Sequence, residues 1–142
     1  MERSGGAETL LLVEDEAPVR ALIIELLANE GYTVLEAAGG EEALAIATRH
    51  PGTIDLLVTD VVMPGMSGGE LASRIVRMLP GVRVLYISGY SDDAIVRCGV
   101  SQADSAFLEK PFTYERFVAK VREVLERPGP ARAADEPEST AA

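Results

Sequence analysis

Glu14 and Asp15 follow one short apolar run of the chain, Asp60 follows a second, Ser88 a third and Lys110 a fourth. Three carboxylates drawn to one place repel each other and resist ionisation unless a cation sits among them. Magnesium suits such a set, because it takes octahedral oxygen ligands, keeps several waters and shares phosphate oxygens; manganese is the expected substitute. The backbone carbonyl of Val62, two residues past Asp60, is placed to complete the shell. Calcium would want a spaced Asp/Asn loop with a distal glutamate, and zinc would want His or Cys ligands; neither pattern is present. Asp60 is the candidate nucleophile, since a carboxylate can attack phosphorus to form an acyl phosphate. Lys110 would neutralise the equatorial oxygens of a transferred phosphoryl group and Ser88 would donate one hydrogen bond, so that catalysis is mostly positioning and electrostatics. Gly89 leaves the Ser88 hydroxyl an open approach.

Residues so far apart meet only if the strands that carry them are parallel and end at one rim, where ligands of open α/β sheets bind. The hydrophobic periodicity supplies that arrangement. Thr9 to Val13, Tyr32 to Ala37, Asp55 to Thr59, Val82 to Ile87 and Ala106 to Leu108 read as strands. Between and after them, Pro18 to Glu30, Glu41 to Arg49, Gly69 to Leu79, a Gly99-interrupted stretch after Ser91, and a closing segment capped by Thr113 read as helices. Pro18 suits a first helical turn and Gly31 the left-handed position past a helix end. Right-handed crossovers leave few topologies for this alternation, and a flavodoxin-like, doubly wound five-stranded parallel sheet in the order 2-1-3-4-5, with helices on both faces, is expected.

The 142 residues fit one domain, set here at 8–127, between a flexible segment 1–7 and a disordered Pro/Ala-rich tail 128–142. The composition, 47% hydrophobic and 25% charged, is that of a globular domain. A net charge of −10 argues against direct binding of nucleic acid or an anionic membrane, both of which want a basic patch. One cysteine, Cys98, excludes an internal disulfide, and no stretch reads as a membrane span or export signal, so a cytoplasmic location is expected.

The segments Glu14-Asp-Glu16, Thr59-Asp-Val-Val-Met-Pro-Gly-Met-Ser-Gly68, Ser88-Gly89 and Lys110-Pro-Phe112 resemble the motifs of response-regulator receiver domains over about residues 8 to 126. The resemblance implies magnesium held by the acidic pair and Asp60, and phosphorylation of Asp60 from a phosphohistidine. It further implies that Ser88 and Lys110 contact the phosphoryl group. Its partner would be a sensor histidine kinase or a histidine phosphotransfer protein, and the chain a monomer or weak dimer. Val84-Leu-Tyr-Ile-Ser-Gly-Tyr-Ser-Asp-Asp-Ala-Ile-Val-Arg97 is similar to receivers at the C-terminal end of hybrid sensor kinases, which would make this domain the cytoplasmic part of a larger sensor kinase. Such a domain promotes its own aspartyl phosphorylation and dephosphorylation but serves mainly in signalling. Charge gained at Asp60 would draw Ser88 and Lys110 inward and change partner binding on the face of the fourth helix, fifth strand and closing helix.

Three positions depart from the commoner family pattern. Glu14 stands for an aspartate, and its longer arm reaches a metal through water. Ser88 stands where threonine is common, and Phe107, at the aromatic switch position, lacks the hydroxyl of a tyrosine. Tyr90, two residues past Ser88, either overhangs the site and affects attack by water or lies on the surface. Tyr114, Phe112 and Phe117 read as packing residues, Met63, Met66 and Met78 as loop or core fillers, and His50 as a helix-end residue. The rival readings are three. A hydrolase lacks a second acid where Val62 stands, a flavin or nucleotide module would not begin with acidic Glu14-Asp15-Glu16, and a phosphorylation-independent interaction module would not need the full acceptor set.

Overall fold

The computed structural model describes residues 8–88, 106–110 and 112–126. In chain order these form β1 (Thr9–Val13), α1 (Ala17–Asn29), β2 (Thr33–Ala37), α2 (Gly40–Arg49), β3 (Leu56–Asp60), α3 (Gly68–Met78), β4 (Arg83–Ser88), β5 (Ala106–Glu109) and α4 (Tyr114–Glu126), the closing helix. All five strands are parallel, in the order β2-β1-β3-β4-β5. The expected doubly wound sheet is therefore present. The helix expected after Ser91, together with Gly89, Tyr90, Cys98 and both chain ends, lies outside the described residues.

Side chains alternate across each strand, and the two sets bury on opposite faces. Leu11, Val13 and Leu57 pack with Ala43 and Ala47 of α2 and Leu71, Ala72 and Ile75 of α3. Leu10, Leu12, Leu56 and Val58 pack with Ile23 and Leu27 of α1 and Phe117 and Val121 of α4. Each large side chain so buried contributes roughly 1.5–3 kcal/mol. Continuous apolar runs such as Leu10 to Val13 follow from cover on both faces.

The ends of the elements have local causes. Pro18 occupies the first turn of α1, and Gly31, at φ 96°, takes the left-handed turn into β2. His50 closes α2 with its N–H on the Ile46 carbonyl. Thr113 Oγ1 accepts from the Arg116 N–H at 3.1 Å and so caps α4. Ser67 Oγ accepts from the Glu70 N–H at 3.1 Å at the start of α3. Ser67→Ala should lower unfolding stability by about 1 kcal/mol, read as a reduced urea midpoint at unchanged slope; an unmoved midpoint would show that the cap contributes nothing.

Two packing expectations are corrected. Tyr114 is 41% exposed, and its hydroxyl donates to Glu30 Oε2 at 2.6 Å, because the first turn of α4 faces the end of α1 rather than the sheet. Met78 is likewise 40% exposed at the end of α3. Phe117, Met63 and the partly buried Phe112 do pack, with Phe112 stacked on Phe117 at 5.3 Å.

Candidate functional site

Parallel strands of matched length bring their carboxyl ends to one rim. Beyond β1 the Glu14 N–H donates to the Ala37 carbonyl at 3.1 Å, so the ladder with β2 extends to the first acid. β3 ends in Asp60, one residue later than the sequence pattern suggested, because Asp60 still pairs with Ile87. β4 ends in Ser88, opposite Glu109 of β5, and the Lys110 N–H donates to the Ser88 carbonyl at 2.9 Å. The backbone thus sets Lys110 directly beyond Ser88.

Glu14, Asp15 and Asp60 each place a carboxylate oxygen within 4.8 Å of the others. Lys110 Nζ stands 3.3 Å from Asp60 Oδ1 and 3.9 Å from Glu14 Oε1. A cavity of about 360 Å³ opens onto these groups and is also lined by Val62 and Glu16. Ser88, at the end of β4, is buried at 3% exposure. Phe107 is half-buried on β5 and stacks on its register partner Tyr86, centroids 5.4 Å apart. Burial pushes the Tyr86 hydroxyl up to about 12, so it stays protonated.

The acids are held at a cost. Glu14 is 1% and Asp60 6% exposed, whereas Asp15 is exposed. Burial first, then a hydrogen bond to Asp60 and its charge, raise Glu14 from its ordinary 4.5 to about 7. Burial raises Asp60 as well, and its contacts with Glu14 and Lys110 pull it only part of the way back. Burial alone would lower Lys110, but the charges of Asp60 and Glu14 outweigh it and leave the ammonium raised. Among the described residues Asp60 Oδ1 is buried without a hydrogen-bond partner, with Lys110 Nζ at ion-pair distance. An orphaned carboxylate oxygen among all-oxygen donors fits a hard divalent cation and fits zinc poorly.

Several residues shape the site through backbone atoms, a role that residue types do not announce. Glu16 donates its N–H to Glu14 Oε2 at 3.2 Å and so fixes that side chain. Gly68 donates its N–H to the Val61 carbonyl at 2.8 Å, and a Cβ there would overlap the Asp60 carbonyl oxygen. Only glycine lets the loop after Asp60 fold back so tightly. Arg20 of α1 donates from Nη1 to the Glu14 carbonyl at 2.7 Å and from Nε to Glu36 Oε1 at 3.1 Å. A bare carbonyl as the partner of an arginine cannot be read from residue types.

Comparison with known proteins meets this geometry from an independent direction. The chain is 42% identical over 122 residues to the sensor kinase CckA of Brucella abortus, a match covering 86% of this chain and 13% of that kinase. It is 31% identical to the response regulator receiver protein CpdR of the same organism, covering 82% of this chain and 95% of that protein. The solved receiver domain of a hybrid histidine kinase CckA superposes with a TM-score of 0.70 at 42% identity, covering 83% of this chain and 99% of that domain. The chain thus spans only a small part of the kinase but nearly the whole of the isolated receivers. Residues 10–122 match the family described as response regulator receiver domain. With the sheet order, the rim acids and this match in agreement, the chain belongs to the response regulator receiver domain family of two-component signalling.

Proposed function

We propose that Asp60 accepts a phosphoryl group from a phosphohistidine in a magnesium-dependent reaction. The observation that carries this reading is the buried Oδ1 of Asp60, without a hydrogen-bond partner among the described residues, beside the Lys110 ammonium. One Asp60 oxygen attacks phosphorus as the bond from phosphorus to the donor imidazole nitrogen breaks, leaving an acyl phosphate. Lys110, already 3.3 Å away, neutralises charge on the transferred group. Ser88 takes a phosphoryl oxygen by hydrogen bond once that group draws it inward, and Phe107 reports the movement through its ring packing on Tyr86. Glu14, Asp15, Asp60 and the Val62 backbone carbonyl would hold magnesium, or manganese in its place. The ion supplies charge neutralisation for the incoming phosphoryl oxygens.

The receiver unit is inferred to span residues 8–127. Its donor would be a sensor histidine kinase or a phosphotransfer protein, and the phosphorylated form would bind partners differently through β5, α4 and the segment preceding β5. The 42% identity to the receiver part of a sensor kinase supports an origin within such a hybrid kinase, on its cytoplasmic side. No described helix is long and apolar enough to cross a membrane.

Intact-mass measurement after incubation with acetyl phosphate tests the reading, with magnesium or with chelator, on the parent chain and Asp60→Ala. The expected result is a gain of one phosphoryl group that requires both magnesium and Asp60. A gain retained by Asp60→Ala would place the acceptor elsewhere.

A further inference from the structure

Arg20 reaches from the first turns of α1 into the loop that carries the acidic pair. Its Nη1 donates to the Glu14 carbonyl oxygen at 2.7 Å, while its Nε donates to Glu36 Oε1 at 3.1 Å on the edge strand β2. That oxygen belongs to the peptide joining Glu14 to Asp15. A peptide unit is planar, so fixing its carbonyl fixes the plane that carries the Cα atoms of both acids and restricts how their side chains leave the backbone. The Glu14 N–H is tied to Ala37 at 3.1 Å, so the peptide on its other side is anchored by β2. Among the described residues, Arg20 is the clamp recorded on the peptide between the two acids.

We propose that Arg20 is a positioning residue for the cation half-site: its guanidinium holds the Glu14–Asp15 peptide so that both carboxylates face Asp60. The inference rests on the reading that the acidic cluster binds a divalent cation. The guanidinium suits the task because its planar fork of donors can satisfy two acceptors at fixed angles, which a lysine ammonium cannot. The Arg20 side chain is 19% exposed, and the Glu36 side chain 58%. The pair with Glu36 therefore contributes little stability of its own and serves to aim the fork.

Charge and geometry predict opposite signs here. Arg20 brings a positive charge near the cluster, so its removal would strengthen cation binding if charge alone mattered. If it positions the peptide, removal weakens binding, as loss of an outer partner of metal ligands commonly does, by about 10–100-fold. The experiment is calorimetric titration with magnesium chloride of the parent chain, Arg20→Ala, Arg20→Lys and Asp15→Asn, alongside thermal melts in chelator to verify that each is folded. Both Arg20 variants are expected to bind magnesium at least about 10-fold more weakly than the parent. Arg20→Lys keeps the charge and loses the fork, and carries the test if Arg20→Ala does not fold. Parent-like affinity in Arg20→Lys, or unchanged or tighter binding in Arg20→Ala, would overturn the proposal while leaving cation binding intact. A parent chain that takes up no magnesium, indistinguishable from Asp15→Asn, would remove the cation reading and this one with it.

Discussion

Asp60→Asn should melt higher than the parent chain in the presence of chelator, by about 1–2 kcal/mol of unfolding free energy or a few degrees, although it removes the central residue of the site. Asp60 is buried and its pKa is raised by that burial, so in the folded chain its charge is less favourable than in water. It also contributes, after burial, to the rise of Glu14 to about 7. A neutral amide of the same shape relieves both. What is lost is the pair with Lys110, whose side chain is 37% exposed and which keeps Glu14 at 3.9 Å. A pair open to solvent on one side is worth at most about 1 kcal/mol, less than the relief. The balance turns once the cation is supplied, because a ligand that binds only the folded state stabilises by mass action. Magnesium should raise the parent's melting temperature and leave Asp60→Asn nearly unmoved. Melts by circular dichroism with chelator and with magnesium decide it, and a variant less stable than the parent in chelator would contradict the proposed repulsion.

A fold that gives up stability to bury Glu14 and Asp60 side by side has a use for them, since ordinary surface acids gain nothing by burial. Glu14 illustrates the point at 1% exposure, where only a compensating charge makes ionisation acceptable. Asp60 Oδ1, which is buried and without a hydrogen-bond partner among the described residues, is in the same position. Lys110 at 3.3 Å supplies charge beside it.

The architecture was legible because each strand of a doubly wound sheet is buried on both faces and reads as an unbroken apolar run, as Leu10 to Val13 does. Topology then forced the ends of those runs onto one rim, which is why Glu14, Asp15, Asp60 and Lys110 could be grouped from their positions alone. What stayed hidden depends on backbone atoms. The Arg20 clamp ends on the Glu14 carbonyl, and Gly68 is required by the Asp60 carbonyl; a sequence names side chains but not the direction of a peptide oxygen. Tyr114 misled for a related reason. An aromatic in the first turn of an amphipathic helix looks like core, but α4 meets Glu30 at that end and the ring stays 41% exposed. Ser88 was placed at the right strand end, yet strand periodicity does not say how deeply a terminal hydroxyl is buried.

The second large effect joins pH to the cation. In the folded chain Glu14 titrates near 7 against an ordinary 4.5. Between those values the native state keeps a proton that the unfolded chain has released, so in chelator the folded state loses stability as pH rises through the window. The raised pKa of Asp60 acts in the same sense. Lys110 acts outside the window, since its raised pKa matters only above the ordinary lysine range. The full Glu14 contribution would be about 3 kcal/mol, and nearer 2 because the cavity admits water that screens it. Magnesium needs the ionised carboxylates and competes with the same proton, so its stabilisation should be small near pH 5 and grow up to about pH 8. Urea titrations at intervals across that range, in chelator and in magnesium, should give curves that diverge as pH rises, and Glu14→Gln should flatten the chelator curve. Equal stabilisation by magnesium at both ends of the range would mean that Glu14 shares no proton with the cation site, and that its carboxyl is a buried structural group.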